Sequence, residues 1–534
     1  MKKVTIYDTT LRDGAQGEGI SFSLSAKIRI ARSLDDFGVD YVEGGFAASN
    51  PKELDFFREM RAVRLKHAKL AAFGSTRRAR LTAAQDPGLA AILATGAPVA
   101  TIFGKSWLLH VEKVLKTTPE ENLRMIADSV RFLKKHGKEV VYDAEHFFDG
   151  YRDNPEYALR TLAAAAEAGA DWLVPCDTNG GRLTSEVVQI MAEVARRFPG
   201  LPLGIHTHND SDLAVANSLA AVEAGAAMVQ GTINGYGERT GNANLCSIMP
   251  ALALKLGAKL SCGARLRRLR SLALLVDEIA DQRPVKSRPF VGESAFAHKA
   301  GMHVDAVSKV TKSFEHVDPA AVGNERRILM SELSGASNVR LKTGEMGLVF
   351  RKDSPAVKDI LRKLEHLEKS GYAFESADAS FKLLVQKVLK RHVPFFDLEG
   401  FSIVVQKKDA ASKATTVATI KVRVKGRTEL AAGEGDGPVD ALNSALRKVL
   451  LRFYPAIDQV VLEDYHVRIL NPETGTQATT RVLIDSSDGR ERWGTVGVSE
   501  NIIEASWEAL VDSMEYKLFL DERRRRAGKK RSAP

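Results

Sequence analysis

Pro202-Leu203-Gly204-Ile205-His206-Thr207-His208-Asn209-Asp210 is a short apolar run that ends in two histidines one residue apart. Side chains of a strand alternate between faces, so His206 and His208 project to one side, roughly 6 to 7 Å apart along the backbone. That spacing suits one metal ion, and equally a hydrogen-bonded histidine pair. The apolar residues before the pair and the Asn-Asp helix start after it put the histidines at a strand's carboxyl end.

Outward from this stretch, similar β-rich runs recur, each followed by an alanine- and leucine-rich segment of helical periodicity. They are Val4 to Tyr7, Tyr41 to Glu43, Leu70 to Phe73, Ala100 to Phe103, Val140 to Tyr142, Trp172 to Val174, Leu203 to Ile205 and Met228 to Thr232. A β-then-α alternation repeated about eight times over roughly 250 residues predicts a TIM (β/α)8 barrel, with a doubly wound open sheet as the alternative. Polar residues follow the strands: Asp8 to Gly14, Glu43-Gly44-Gly45, Gly74-Ser75-Thr76, Asp143 to His146, Asp177 to Gly180, His206 to Asp210 and Asn234 to Asn242. In a barrel these loops open on one face, where catalytic groups collect.

The barrel is expected over residues 1–270, because Leu272 to Ile279 read as a helix outside the repeat. Residues 271–389 are mixed and helical and read as linker subdomains. From Phe395 onward, strand-like runs (Ser402 to Val405, Thr416 to Val424, Glu463 to Leu470, Thr479 to Ile484) alternate with two helices, Pro438 to Phe453 and Asn501 to Leu518. A small α+β domain over 390–520 accounts for them. Its first helix follows Gly433-Glu434-Gly435-Asp436-Gly437-Pro438, and exposed amides at a helix start can hold an anion such as an amino-acid carboxylate.

The 534 residues carry a formal net charge of +10, much of it in Arg523-Arg524-Arg525-Arg526-Ala527-Gly528-Lys529-Lys530-Arg531. Residues 521–534 therefore read as a solvated, disordered basic tail, and nucleic-acid binding lacks any recognisable module. No membrane span and no secretory signal are legible, which predicts a cytoplasmic protein. Cys176, Cys246 and Cys262 are too few and scattered for a disulfide framework or a cysteine zinc site.

After the first strand, Asp8-Thr9-Thr10-Leu11-Arg12-Asp13-Gly14 puts a carboxylate beside a guanidinium. Asp13 can add an oxygen to an ion held by His206 and His208, leaving positions open for substrate and water. Arg12 then stands where it can stabilise a developing oxyanion.

Together, this loop, HTHND and Gly235-Tyr236-Gly237-Glu238-Arg239-Thr240-Gly241-Asn242 resemble the DRE-TIM metallolyase superfamily. The later segments look like those of the 2-isopropylmalate and citramalate synthases. Ala144-Glu145-His146-Phe147-Phe148-Asp149-Gly150-Tyr151 and Gly323-Asn324-Glu325-Arg326-Arg327 are most similar to stand-alone citramalate synthases.

The resemblance implies metal ligands at Asp13, His206, His208 and Asn242, Arg12 at the reacting keto oxygen, and Thr178 on the keto acid carboxylate. It implies Glu145 in enolisation of acetyl-CoA, a histidine-acid pair at His303 and Asp305, and a less certain neighbour at His298. The implied reaction condenses acetyl-CoA with pyruvate and releases (R)-citramalate and CoA on a threonine-independent route to isoleucine. The implied cofactor is a divalent ion (Zn, Mn, Co or Mg), and the implied assembly is a homodimer with shared sites. The resemblance also implies feedback by isoleucine, with Gly433, Gly435 and Gly437 as the candidate contacts. A synthase acting on another keto acid, a lyase, and a non-catalytic metabolite sensor remain the alternatives.

Overall fold

The computed structural model describes residues 2–331, 334–351 and 353–531. The chain divides into two compact units, one of residues 1–296 and 317–325, the other of residues 297–316 and 326–534.

In the first unit, strands β1 (Thr5–Asp8), β2 (Tyr41–Phe46), β3 (Lys69–Ser75), β4 (Val99–Lys105), β5 (Glu139–Glu145), β6 (Trp172–Asp177), β7 (Gly204–Thr207) and β8 (Met228–Gly231) form a closed parallel barrel in sequence order. Closure is by β1, which pairs with β2 at Tyr7–Tyr41 and with β8 at Ile6–Val229. The period of two along each strand sorts the side chains. Ile6, Val140, Leu173 and Val229 pack outward on the helices, whereas Tyr7, Val141, Val174 and Met228 pack inside. Each such side chain fully removed from water contributes about 1.5 to 3 kcal/mol. Above the apolar inner layer the same faces turn polar, as Val141 gives way to Asp143 and Glu145 along β5. The barrel is therefore a filled core with a reactive rim at its carboxyl end.

The barrel unit runs past the expected boundary at 270. The helix Leu269–Ile279 buries Leu272, Ala273 and Val276 in the barrel's own hydrophobic core, and the segment to Phe296 continues the same unit. Its amphipathic face, and not its place in the β-α repeat, decides where it belongs.

The second unit holds a short parallel pair, β9 (Ala297–His298) with β10 (Arg327–Ile328). Two antiparallel three-stranded sheets follow. One contains β11 (Phe396–Gln406), β12 (Thr415–Val424) and β13 (Arg427–Gly435), the other β14 (Val461–Ile469), β15 (Thr480–Ser487) and β16 (Arg492–Ser499). Ala418, Ile420, Val422 and Val424 alternate inward along β12 and meet Leu442, Leu446 and Val449 of the helix Pro438–Phe453. β15 alternates likewise, with Val482 and Ile484 against Ala505 and Ala509.

Two expectations need correction here. Gly433 and Gly435 are not at a helix start; they belong to β13 and pair with Ala418 and Thr416. A Cβ on Gly433 would lie 2.4 Å from the Ala445 nitrogen, so the glycines let strand and helix approach closely. Gly437 does precede the helix, but the Asp440 carboxylate occupies its first turn and accepts from the Asp436 amide at 3.0 Å. An acid already stands where an anion was expected.

The second correction concerns the basic tail. The helix Ile502–Arg531 runs through most of it, and Arg524 pairs with Asp488 at 3.2 Å and Glu491 at 2.8 Å. The acidic partners come from the β15–β16 turn, invisible to a local reading of charge. Residues 532–534 of the expected tail lie outside the described residues. Among the described residues, no helix is long and apolar enough to cross a membrane.

Candidate metal centre and active site

β7 carries His206 inward, and His208 follows one residue beyond the strand on the same face. Their Nε2 atoms lie 3.3 Å apart, and Asp13 Oδ2, from the loop after β1, is 3.3 Å from His206 Nε2. The three donors are buried and lie within 4.8 Å of one another.

The tautomer of His206 is set from behind. Its Nδ1 faces Gln230 Oε1 of β8 at 2.9 Å, and Gln230 Nε2 donates to Asp143 Oδ1 of β5 at 2.9 Å. A hydrogen on Nδ1 leaves Nε2 with a lone pair aimed at the cluster, the arrangement that metal-binding histidines use. Burial opposes a charge on His206, but Asp13 outweighs it and raises the imidazole's pKa. His208 goes the other way, since burial and then His206 push it down to about 3. Burial also opposes ionisation of Asp13, yet Arg12 and His206 hold its carboxyl well below the usual range. The cluster thus presents an anionic oxygen and a neutral imidazole.

The donors fit a divalent ion. Two imidazole nitrogens and a carboxylate suit zinc, manganese or cobalt better than magnesium. Asn242 Oδ1 is buried without a hydrogen-bond partner, and Asn242 forms an antiparallel bridge with His208.

Arg12 is fixed on three sides. Nη1 is 3.1 Å from Asp13, Nε donates to Glu43 Oε2 of β2 at 2.6 Å, and the guanidinium lies 3.9 Å over the Phe73 ring. Phe73 stacks on Phe103 at 5.4 Å, and Phe46 meets both edge-on. The ends of β2, β3 and β4 therefore build an aromatic wall against the arginine.

Glu145 ends β5 and pairs with Lys105 of β4. Thr178 follows β6, and its Oγ1 accepts the His146 amide at 2.9 Å. His146 itself holds a left-handed backbone, φ 54°, and its ring lies 4.3 Å from that of His110.

The remaining expected residues lie in the second unit. His303 is exposed on the helix Gly301–Lys309 with its ring stacked on Phe314 at 4.2 Å. Asp305 accepts from Ser337 at 2.7 Å and pairs with Lys309 at 2.6 Å. Residues two apart on a helix face different sides, so the two do not form a hydrogen-bonded dyad within this helix. His298 is buried against Glu315 at 3.2 Å.

Residues 3–276 match the HMGL-like family, 290–371 the homocitrate synthase post-HMGL domain-like family, and 375–518 the LeuA allosteric (dimerisation) domain. An (R)-citramalate synthase of Aquifex aeolicus (strain VF5) is 52% identical over 521 residues, 98% of this chain and 99% of that one. The (R)-citramalate synthase of Geobacter sulfurreducens (strain ATCC 51573 / DSM 12127 / PCA) is 51% identical over 522 residues, with 98% and 99% covered. The chain belongs to the citramalate synthase family. A 2-isopropylmalate synthase of Methanocaldococcus jannaschii (strain ATCC 43067 / DSM 2661 / JAL-1 / JCM 10045 / NBRC 100440) is 30% identical over 516 residues, 96% of this chain and 94% of that one. The chain is thus far more similar to the citramalate synthases than to this isopropylmalate synthase.

Members of this family are acyltransferases of the condensing kind, and several partners of the site escape sequence reasoning. Glu43 and Asp143 are visible only as polar residues at strand ends, and Gln230 reads as one more strand residue. Position-by-position inward alternation along β5 and β8 is the signal that brings Asp143 and Gln230 beside His206.

Proposed function

We propose that this chain condenses acetyl-CoA with pyruvate and hydrolyses the product to (R)-citramalate and CoA. The observation that carries the reading is its full-length likeness to (R)-citramalate synthases at 51% to 52% identity, and the buried donor cluster beside Arg12 agrees with it.

Asp13, His206, His208 and Asn242 would hold a divalent ion, which when bound polarises the keto group of the 2-oxo acid. Arg12 supplies a permanently charged donor to the keto oxygen as charge grows there, and Glu43 and Phe73 keep it from swinging away. Thr178 donates its hydroxyl hydrogen to the acid's carboxylate. Glu145 takes a proton from the acetyl methyl group, the carbanion attacks the keto carbon as the C=O π pair moves onto oxygen, and that oxygen takes up a proton to become the hydroxyl, which leaves Glu145 free to lose its own. Water then cleaves the thioester, its hydroxyl adding to the acyl carbon while the sulfur leaves with a proton.

His303 and Asp305 serve this site from the second copy of a homodimer, in keeping with the LeuA allosteric (dimerisation) match. A mixture of Arg12→Ala and His303→Ala chains that regains activity supports sharing, and a silent mixture rejects it. Isoleucine acts as the feedback ligand of the 375–518 domain. Inhibition of CoA release by isoleucine but not by leucine or valine is the expected result.

Pyruvate is favoured by the likeness to (R)-citramalate synthases, and the side chains of Phe46, Phe73 and Phe103 stand beside Arg12 where a larger acid would have to fit. Each added methylene is worth about 1 to 3 kcal/mol in such a pocket. CoA release measured with pyruvate, 2-oxoisovalerate and 2-oxoglutarate tests the reading, and a preference for either larger acid overturns it.

A further inference from the structure

The loop after β8 does more than deliver Asn242. Asn242 Nδ2 donates to the backbone carbonyl of Tyr236 at 3.2 Å, which turns the amide so that Oδ1 is left buried and without a hydrogen-bond partner. The same carbonyl accepts from Thr232 Oγ1 at 2.7 Å. Tyr236 is thus the residue against which the Asn242 amide is oriented.

Tyr236 is in turn fixed from outside the loop. Its hydroxyl donates to Asp277 Oδ1 on the helix Leu269–Ile279. Asn234, left-handed at φ 64°, donates to the same oxygen at 2.7 Å, and Arg288 Nη1 meets Oδ2 at 2.7 Å. Asp277 is fully buried, so its charge is tolerable only with these partners in place. At the other side of the loop, the Asn242 amide donates to the Gly235 carbonyl at 3.0 Å and the Asn209 amide to that of Gly241 at 2.9 Å. Gly237 completes the fit, because a Cβ there would lie 2.1 Å from Asn242 Nδ2.

We infer that Asp277 and Tyr236 are positioning residues of the metal centre: Asp277 holds the Tyr236 hydroxyl, and the Tyr236 carbonyl holds the Asn242 amide so that Oδ1 stays buried and unbonded on the residue that bridges His208. The inference rests on the reading of Asn242 as a ligand. It assigns metal affinity to a helix outside the β-α repeat. A purely structural role for Asp277 makes a different prediction, since it changes melting temperature without acting through Asn242.

The test measures dissociation of Co(II), by competition with a chelator and by the visible spectrum of the cobalt-loaded full chain, in a double-mutant cycle. Tyr236→Phe removes only the hydroxyl and keeps the ring, and Asp277→Asn keeps the volume of the carboxylate. The expected result is about tenfold weaker Co(II) binding for Tyr236→Phe, with a shifted spectrum. In an Asn242→Ala background the same substitution is expected to have no further effect. If Asn242→Ala binds Co(II) as wild type does, the ligand reading fails and the relay with it. If Asn242→Ala weakens binding while Tyr236→Phe and Asp277→Asn do not, the relay alone is overturned. Equal losses in both backgrounds also overturn it, by showing that Tyr236 does not act through Asn242.

Discussion

At the barrel mouth Asp13 lies beside Arg12 and His206 and still leaves Oδ2 without a directed hydrogen bond. In the second unit Asp488 is just as buried, yet accepts from the Arg490 and Glu491 amides at one oxygen and from Lys517 and Arg524 at the other. Both carboxyls are held below their usual range, against the opposition of burial, Asp13 by Arg12 and then His206, Asp488 chiefly by the Lys517 bond. What separates them is completion. Asp488 has no valence left for a ligand and serves to pin the last helix, whereas Asp13 Oδ2 has only its ion-pair contacts with Arg12 and His206, and Asn242 Oδ1 is buried with no hydrogen-bond partner. Unpaired buried polar atoms cost stability, and they persist where a ligand can complete them.

The contrast breaks most sharply at Asp13. Asp13→Ala is expected to abolish Co(II) binding and CoA release while leaving the melting temperature close to wild type; retained activity would place the metal elsewhere. Arg12→Lys keeps the charge but loses the fork that joins Asp13 and Glu43, and kcat should fall roughly 100- to 1000-fold. A drop in affinity for the keto acid alone would mean that Arg12 binds substrate without stabilising charge.

Lys517→Met is the matching experiment on the completed side. It removes the ammonium partner of Asp488 while leaving Arg524 and the two amides, and should destabilise the second unit by about 1.5 to 3 kcal/mol, read as a denaturation shift. Co(II) affinity should not change, and a change would erase the distinction between the two sites. A smaller effect is expected from Phe103→Ala, which opens the aromatic wall. Its preference for pyruvate over 2-oxoisovalerate should narrow by about 1 to 3 kcal/mol, as measured by kcat/KM for each acid.

The smallest effects are in pH. Asp8, buried next to the mouth, is pushed up to about 7 by its burial. Its folded value lies above its unfolded one, so the related stability is present at acid pH and lost as pH rises through about 7. Asp8→Asn should flatten the fall in melting temperature between about pH 4 and 7. Asp488 has the opposite sign: its folded value is depressed, so its contribution is present above the unfolded value and lost as pH falls below it. Acid should therefore loosen the second unit in a manner that Asp488→Asn removes.

Much of the barrel is legible because its strands are short apolar runs at a regular spacing, and each run overlaps one of the strands, with Val4, Leu203 and Thr232 lying just outside them. The glycine-rich β13 and β16 are harder to see, since Gly433, Gly435, Gly494 and Gly497 replace the β-branched residues that mark a strand. The same masking made Gly433 and Gly435 look like an anion loop. At the site, Asp13, His206 and His208 can be paired from sequence because metal ligands are few and chemically distinctive. Glu43, Gln230 and Asp277 are common residues in unremarkable contexts, and only neighbours distant in the chain give them a role.

The sequence by itself determined the alternation that closes the barrel and the types of ligand at its rim, because both depend on local period and side-chain chemistry. Tertiary structure alone decided that His206 is held through Gln230 and Asp143, that Arg12 rests between Glu43 and Phe73, and that Asp277 reaches the Asn242 loop. Those contacts join residues on different strands and helices, and barrel closure is the step that brings them within bonding distance.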